Sequence, residues 1–441
     1  MKKFLIVLSI VTLLVSSLAG CGNTDNKKEE QSNSDNESNG QVETNDNQDE
    51  EITLSFWYKD VGVKEEIYKE AVARFENKYP NVTVKTFQAR SSAYKQKLPI
   101  ALSGNDAPDV FFTWGGGWLK RFADEGHVLE ITDKLDTSRF KDLAMVNCVN
   151  DDKVFGAPLG IDIGVVFYNK EIFEKHNLQV PKTYEELKSV MSTLRENEVI
   201  PFVLANQPKW PGSFWYMYLV DRLGGEEAFD KAFKRDGGSF NSQPFVEAGE
   251  YIQDLVDAKA FNDGYNGLPY DAGTARQLLY TDRAAMMLLS NTFINLVRKE
   301  APDYEEKVGM FPFPTMPNGK GDENNLVGIA APVWSISSGC EHPDLALELI
   351  NELTSVETAT EYSNRTGSQT AIKDIKTEDP VVQQLMDMLN NANNLQMVYD
   401  QTLVPELAQK HLETTQEVFG FMKTPQEAAD EVEELAKKLL D

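Results

Sequence analysis

The chain has 441 residues, 41% hydrophobic and 26% charged, a globular composition with enough material for more than one core. Its formal net charge is −27, from 70 acidic and 43 basic residues, which argues against nucleic acid as a partner because such binding neutralises phosphates with Lys and Arg. Two cysteines beyond Cys21, Cys148 and Cys340, make neither a disulfide framework nor a four-ligand zinc site, and both are expected free and mostly buried.

Lys2 and Lys3 precede an apolar run, FLIVLSIVTLLVSSLAG, that stops at Cys21. A basic end, a short greasy stretch and small residues at the exit mark a secretory signal, so residues 1–20 read as a lipoprotein signal peptide. The order Leu18-Ala19-Gly20-Cys21 resembles a bacterial lipobox, which implies cleavage before Cys21 and lipidation of its sulfur. The other reading is an uncleaved anchor, for which the run is short. Residues 21–50 contain no aromatic and one aliphatic residue, Val42, and are expected to be a disordered tether. Lipid plus leash places the protein on the outer face of the cell membrane, anchored rather than spanning.

From Ile52 onward strands and helices alternate. ITLSFW is a strand; Ile67, Ala71, Val72, Phe75 and Tyr79 fall at helical spacing until Pro80; NVTVKTF is a second strand; a short helix covers 94–102; DVFFT is a third strand. That order predicts a parallel sheet covered by helices. Residues 155–168 read as one long extended stretch, followed by helices at 183–196, 214–223 and 244–258 and by strands at 285–289, 308–313 and 334–337. The last third is mostly helical. Residues 51–441 are too many for one compact core and suit two α/β lobes.

No GxSxG, HExxH, GxxxxGK[ST] or GxGxxG motif is present, and His127, His176, His342 and His411 are scattered in polar contexts that predict exposure. DGYNG near Asp263 lacks the terminal acid of a calcium loop. No metal, cofactor or catalytic residue is expected.

The stretch GAPLGIDIGVVFYNKEIFEKHNLQVPKTYEELKSV, together with FENKYPNVTVK, GNDAPDVFFTW, FNDGYNG and RAAMMLLSNTFINLV, resembles the family 1 bacterial extracellular solute-binding proteins, the maltose/oligosaccharide type serving ABC importers. The resemblance implies a type II periplasmic-binding-protein-like fold, with two α/β lobes, a hinge and an interlobe ligand cleft. Carried onto this chain it puts the crossings near 161–165, 326–330 and 370–378. Lobe 1 is then 51–162 with 328–372, and lobe 2 is 163–327 with 373–441.

TWGGGW (113–118) would lie at the C-terminal end of a sheet strand, where open α/β sheets place ligands. Trp114 would offer a flat face to a sugar ring and Gly115 a free backbone N–H, unless Trp114 belongs to the core, as Trp118 is expected to. A phosphate cradle is excluded by the lack of any basic residue between Ala107 and Leu119. Trp57 and Asp60 suit a site lip, although Trp57 reads equally as packing. Asp162 lies inside an apolar run and must be paired, either to sugar hydroxyls or to an unseen Lys or Arg. By resemblance Lys209, Trp210, Asn291, Phe293, Tyr399 and Asp400 line the second side, Phe293 standing where many relatives have tryptophan, and Trp215 packs on its helix; Trp334, a further candidate contact, follows Pro332 and Val333 where relatives commonly have a glycine-rich turn.

The resulting expectation is a monomeric, non-enzymatic, lipid-anchored receptor that captures a sugar, an oligosaccharide, by interlobe closure and delivers it to ABC importer permease subunits. The alternatives are the same fold binding a polyamine or polyol phosphate, a sensor subunit, or a secreted hydrolase.

Overall fold

The structure is a computed structural model that describes residues 51–104 and 106–441. The expected signal peptide (1–20), Cys21 and the expected tether (21–50) lie outside the described residues. Two larger sheets organise residues 51–441. In the first, strands run in the order Val82–Gln88, Ile52–Tyr58, Val110–Thr113, Val333–Ile336, Ala157–Pro158. The first three are parallel and the last two antiparallel to their neighbours. Ile52–Tyr58 alternates, burying Leu54, Phe56 and Tyr58, whereas Val110–Thr113 is buried at every position because both faces are covered. Helix Val63–Lys78 buries Ile67, Ala71, Val72 and Phe75 of the expected stripe and adds Tyr68, while Tyr79, half-buried, caps its end.

In the second sheet the order is Leu395–Met397, Leu326–Ala330, Gly160–Asn169, Ala284–Ser290, Ile200–Phe202; Val308–Phe311 and Gln369–Thr370 also pair with Gly160–Asn169. Helix Tyr184–Glu196 starts at a capping box of Thr183 and Glu186. Helix Trp210–Gly224 is buried from Pro211 to Leu223 and is therefore apolar nearly all round; Trp215 packs there with no exposure.

The expected long strand at 155–168 is broken at Leu159. Ala157–Pro158 belongs to the first sheet and Gly160–Asn169 to the second. Gly160 is required where segments cross, since a Cβ there would lie 2.7 Å from the Ala331 carbonyl oxygen and 2.8 Å from the Tyr362 hydroxyl. The return crossing follows Ala330 through the cis Ala331–Pro332 bond into Val333–Ile336. A third leads from helix Val356–Thr366 through Gln369–Thr370 to helix Pro380–Asn390. Two sheets joined by three crossings make a two-lobe type II fold. The strands change sheet at Leu159 and Ala331–Pro332, so Asp162 stands in the second sheet rather than the first. No described helix is long and apolar enough to cross a membrane.

Candidate functional site at the lobe interface

Thr113 ends its strand, and Gly115 (φ 70°) and Gly116 (φ 54°) turn the chain into helix Gly116–Asp124. A Cβ on Gly116 would lie 2.7 Å from the Gln401 carbonyl oxygen, and one on Gly117 would collide with the Leu403 carbonyl. Gly116 and Gly117 thus admit the backbone of second-lobe residues 401–403, while Gly115 makes room for Asn147. The turn is a lobe–lobe contact. The Gly115 N–H expected to be free donates to Thr113 Oγ1 at 2.7 Å, which corrects its place as a ligand donor. Asn147 ties this turn to the return crossing, its Nδ2 donating to the carbonyls of Trp114 (2.7 Å) and Ala330 (3.0 Å).

Trp114 is only 5% exposed. Its ring meets Phe112 edge-on at 5.0 Å and Tyr94 at 6.0 Å, and lies 5.6 Å from Trp118. Lys95, on helix Ser91–Leu102, places Nζ 4.9 Å over Trp114 and 5.5 Å over Trp118. The open platform expected of Trp114 is therefore packed and roofed. Lys95 Nζ also reaches across the lobes to Asp400 Oδ2 at 4.0 Å. Burial raises the Asp400 carboxyl above its ordinary value, and Lys95 opposes only part of that effect. A raised carboxylate destabilises the fold as pH rises from the ordinary carboxylate range through the raised value, and the cost is complete above it. Asp400→Asn is accordingly expected to raise the melting temperature at pH 7. The gap from wild type should close as pH falls below the ordinary carboxylate range, a pattern that thermal melts across pH would check.

A second interlobe pair lies beside the first crossing. Lys64 Nζ, from the first-lobe helix, is 3.7 Å from Asp162 Oδ2 and 4.9 Å over the Tyr362 ring. Asn291 Nδ2 donates to Asp162 Oδ1 (3.0 Å) and to the Gly367 carbonyl (3.5 Å), while Asn291 Oδ1 accepts from the Ile163 N–H (2.6 Å). Burial alone would lower the Lys64 pKa; Asp162, Tyr362 and Asp60 more than reverse this and hold it raised. Asp60 accepts from Lys59 at 2.8 Å and from the Tyr68 hydroxyl at 3.0 Å; against the cost of burial, Lys59 and Lys64 keep its carboxyl below the ordinary value. Of the two sequence readings of Asp162, the buried ion pair is present, and its partner is Lys64.

Among the other expected contacts, Trp57 and Trp210 remain half-buried, one in each lobe. Trp57 rests on Phe87 at 4.5 Å, and Trp210 meets Tyr270 edge-on at 4.7 Å. Lys209 (φ 72°) pairs with Glu413 at 3.4 Å. Four of the expected contacts are buried. Trp334 is fully buried among Phe56, Tyr68 and Phe112, because it lies on the inner face of a strand flanked on both edges. Phe293 packs on Phe167 at 4.9 Å, and Tyr399 stacks on Phe229 at 4.0 Å, each 1% exposed. Asn291, with no exposure, braces Asp162 and the crossings rather than facing a cleft. His411 is also buried, 2.6 Å from Ser213 Oγ, and burial pushes its pKa down to about 3. Cys148 is buried, Cys340 half-buried, and both are free.

Lys64, Lys95 and Gln401 were not singled out by the sequence. Their neighbours come from distant segments, and lysine on a helix reads as solvated surface. A cavity of about 250 Å³ lined by Pro312, Asn324, Leu326 and Asp387 includes none of the interlobe residues. Among the described residues no group of His, Cys, Asp and Glu could hold a metal ion.

Residues 62–360 match the family model of the bacterial extracellular solute-binding proteins. The chain belongs to that family. As a solute-binding protein it is 22% identical over 450 residues to an ABC transporter extracellular-binding protein of Pyrococcus horikoshii, covering 99% of this chain and 97% of that one. It is 25% identical over 297 residues to the maltodextrin-binding protein of Bacillus subtilis, with 64% and 66% covered. A structure from work on xylan utilisation by Caldanaerobius polysaccharolyticus superposes with a TM-score of 0.81 at 28% identity, covering 87% of this chain and 100% of that one. A chitin oligosaccharide binding protein superposes with a TM-score of 0.80 at 20% identity, over 88% and 98%, and supports the fold alone.

Proposed function

We propose that this solute-binding protein is a lipid-anchored extracellular receptor that captures an oligosaccharide between its lobes and delivers it to the permease of an ABC importer. The observation that carries the reading is the interlobe arrangement itself. Two lobes joined by three crossings meet through Lys95–Asp400 and Lys64–Asp162, and each lobe also keeps one half-buried indole, Trp57 in the first and Trp210 in the second. Flat rings together with groups that donate and accept are what a sugar needs, since its C–H face is apolar and its edge polar. The names of relatives point the same way: they include maltodextrin-binding and melibiose/raffinose/stachyose-binding proteins of Bacillus subtilis. Neither phosphate nor polyamine is favoured, because Lys95 and Lys64 each face a carboxylate across the lobes.

A ligand bound only by the folded state raises its melting temperature. Screening maltotriose, raffinose, stachyose, xylotriose and chitotriose is expected to give a rise with at least one of them. No rise with any of them, together with a rise for spermidine or a sugar phosphate, would overturn the oligosaccharide reading.

The membrane anchor rests on Leu18–Cys21. Cys21→Ser is expected to abolish lipid labelling and move the protein from the membrane fraction to the medium, or leave it unprocessed. Undiminished labelling in that variant would contradict a lipid on Cys21.

A further inference from the structure

The two members of the Lys95–Asp400 pair are unequally buried: the Asp400 side chain keeps 10% of its surface in water and that of Lys95 33%. The residues that follow Asp400 carry the first-lobe contact. Gly116 lies against the Gln401 carbonyl, and Gly117 against those of Thr402 and Leu403. Closing the lobes therefore takes water from the carboxylate, and what it receives in exchange is small. Lys95 Nζ stands 4.0 Å away, beyond the about 2.7–2.9 Å of a charge-assisted hydrogen bond, and is shared with the rings of Trp114 and Trp118. Desolvation outweighs a Coulombic gain of this kind unless close hydrogen bonds accompany it. Burial is accordingly the larger influence on the Asp400 carboxyl and leaves it above its ordinary value.

The titratable groups on the elements packed around this turn are engaged elsewhere. On helix Gly116–Asp124, Arg121 is bound to Glu125 and Glu406, and Lys120 to Asp124 and Asn150. On helix Pro405–Phe419, Lys410 pairs with Glu431 and Glu413 with Lys209, while burial keeps His411 neutral down to about pH 3. On helix Trp210–Gly224, Asp221 is paired with Arg222. Lys95 is left as the cation that answers Asp400, and it answers incompletely.

We infer that Asp400 couples lobe closure to the uptake of one proton, so that acidification of the medium favours the closed form and tightens its hold on solute. In the open form water reaches the carboxylate, which is ionised at neutral pH; in the closed form the ionised group is held at a cost. The sign follows. Below the ordinary carboxylate range Asp400 is neutral in both forms and closure carries no penalty; above the raised value of the closed form the penalty is complete. Between the two, closure takes a proton from solvent. The coupling is independent of which solute is bound; only its effect on affinity rests on the receptor reading.

Size-exclusion-coupled small-angle scattering of the sugar-free mature protein, from about pH 7 down to about pH 4, the ordinary aspartate range, tests the coupling. Wild type is expected to contract as pH falls. Asp400→Asn, nearly isosteric and neutral throughout, should already be contracted at neutral pH and change little in acid. Lys95→Met, which keeps the aliphatic stem, should stay expanded at neutral pH and still contract in acid. A wild-type radius that does not change with pH would overturn the inference, as would an equal acid contraction in Asp400→Asn, which would assign the effect to other carboxylates. An Asp400→Asn particle more expanded than wild type at neutral pH would also overturn it, because the pair would then be a latch whose attraction exceeds its desolvation. Calorimetric titration with whichever of maltotriose, raffinose, stachyose, xylotriose and chitotriose raises the melting temperature supplies the second arm. Wild-type affinity should rise by up to roughly tenfold per pH unit as pH falls through the window, the slope for one proton, and should stay flat in Asp400→Asn. A wild-type affinity independent of pH would contradict the coupling. If none of these sugars binds, the oligosaccharide reading fails while the sugar-free scattering still decides the coupling.

Discussion

Trp114→Ala is expected to lower folding stability by about 3–5 kcal/mol, the usual cost of removing a buried aromatic side chain. A sequence reading that makes Trp114 an exposed platform predicts the opposite: a well-folded protein that has lost its ligand. The packing favours the first. The ring is 5% exposed, packed on Phe112, Tyr94 and Trp118, and covered by Lys95. Its loss leaves a cavity at the end of the central strand, beside the glycine turn that receives the second lobe. Denaturant unfolding would measure the effect. A loss under about 1 kcal/mol accompanied by abolished binding would show that the ring serves the solute and not the core.

Asp162→Ala is the second large effect. Removing one partner of a buried pair leaves the other charge uncompensated and typically costs about 3–5 kcal/mol. Here Lys64 would keep only Asp60 and the Tyr362 ring, and Asn291 would lose the acceptor that fixes its amide between the crossings. Lys64→Met added to Asp162→Ala is expected to recover much of the loss, because it removes the stranded charge; additive losses in the double variant would contradict the pairing. The pH dependence follows from the raised Lys64 pKa. A lysine held above its unfolded value contributes fully below the ordinary lysine pKa and loses that contribution as pH rises through the folded value. The wild-type advantage over Lys64→Met should therefore persist at neutral pH and vanish only in strong alkali.

The first lobe was legible because its strands alternate and its first helix carries a clean stripe at Ile67, Ala71, Val72 and Phe75. Asp162 was legible as a residue needing a partner, since a carboxylate between Ile161 and Ile163 cannot stay unpaired in a core. Its partner was not, because Lys64 comes from a helix nearly a hundred residues away. The break at Leu159 was hidden because Ala157–Pro158 and Gly160–Asn169 are both extended; only the sheets they join distinguish them. The aromatics misled most. A tryptophan at a strand end has one inner and one outer choice, and in Trp114 and Trp334 the tertiary packing turned the ring inward. The triple glycine was read as freeing a backbone N–H; instead Gly116 and Gly117 admit the backbone of residues 401–403 of the other lobe.

Solute closes a two-lobe receptor only when it binds the closed form better than the open one. In this structure the lobes already touch at the glycine turn, along Lys95–Asp400 and through the exposed Arg121–Glu406 pair at 3.1 Å, so a solute must enter from a more open form. Small-angle scattering of the mature protein, with and without a saturating concentration of the screened oligosaccharide that raises its melting temperature most, tests this directly. The expected result is a sugar-free particle larger than this structure that contracts towards it on binding. An unchanged radius of gyration despite calorimetrically confirmed binding would contradict capture by interlobe closure.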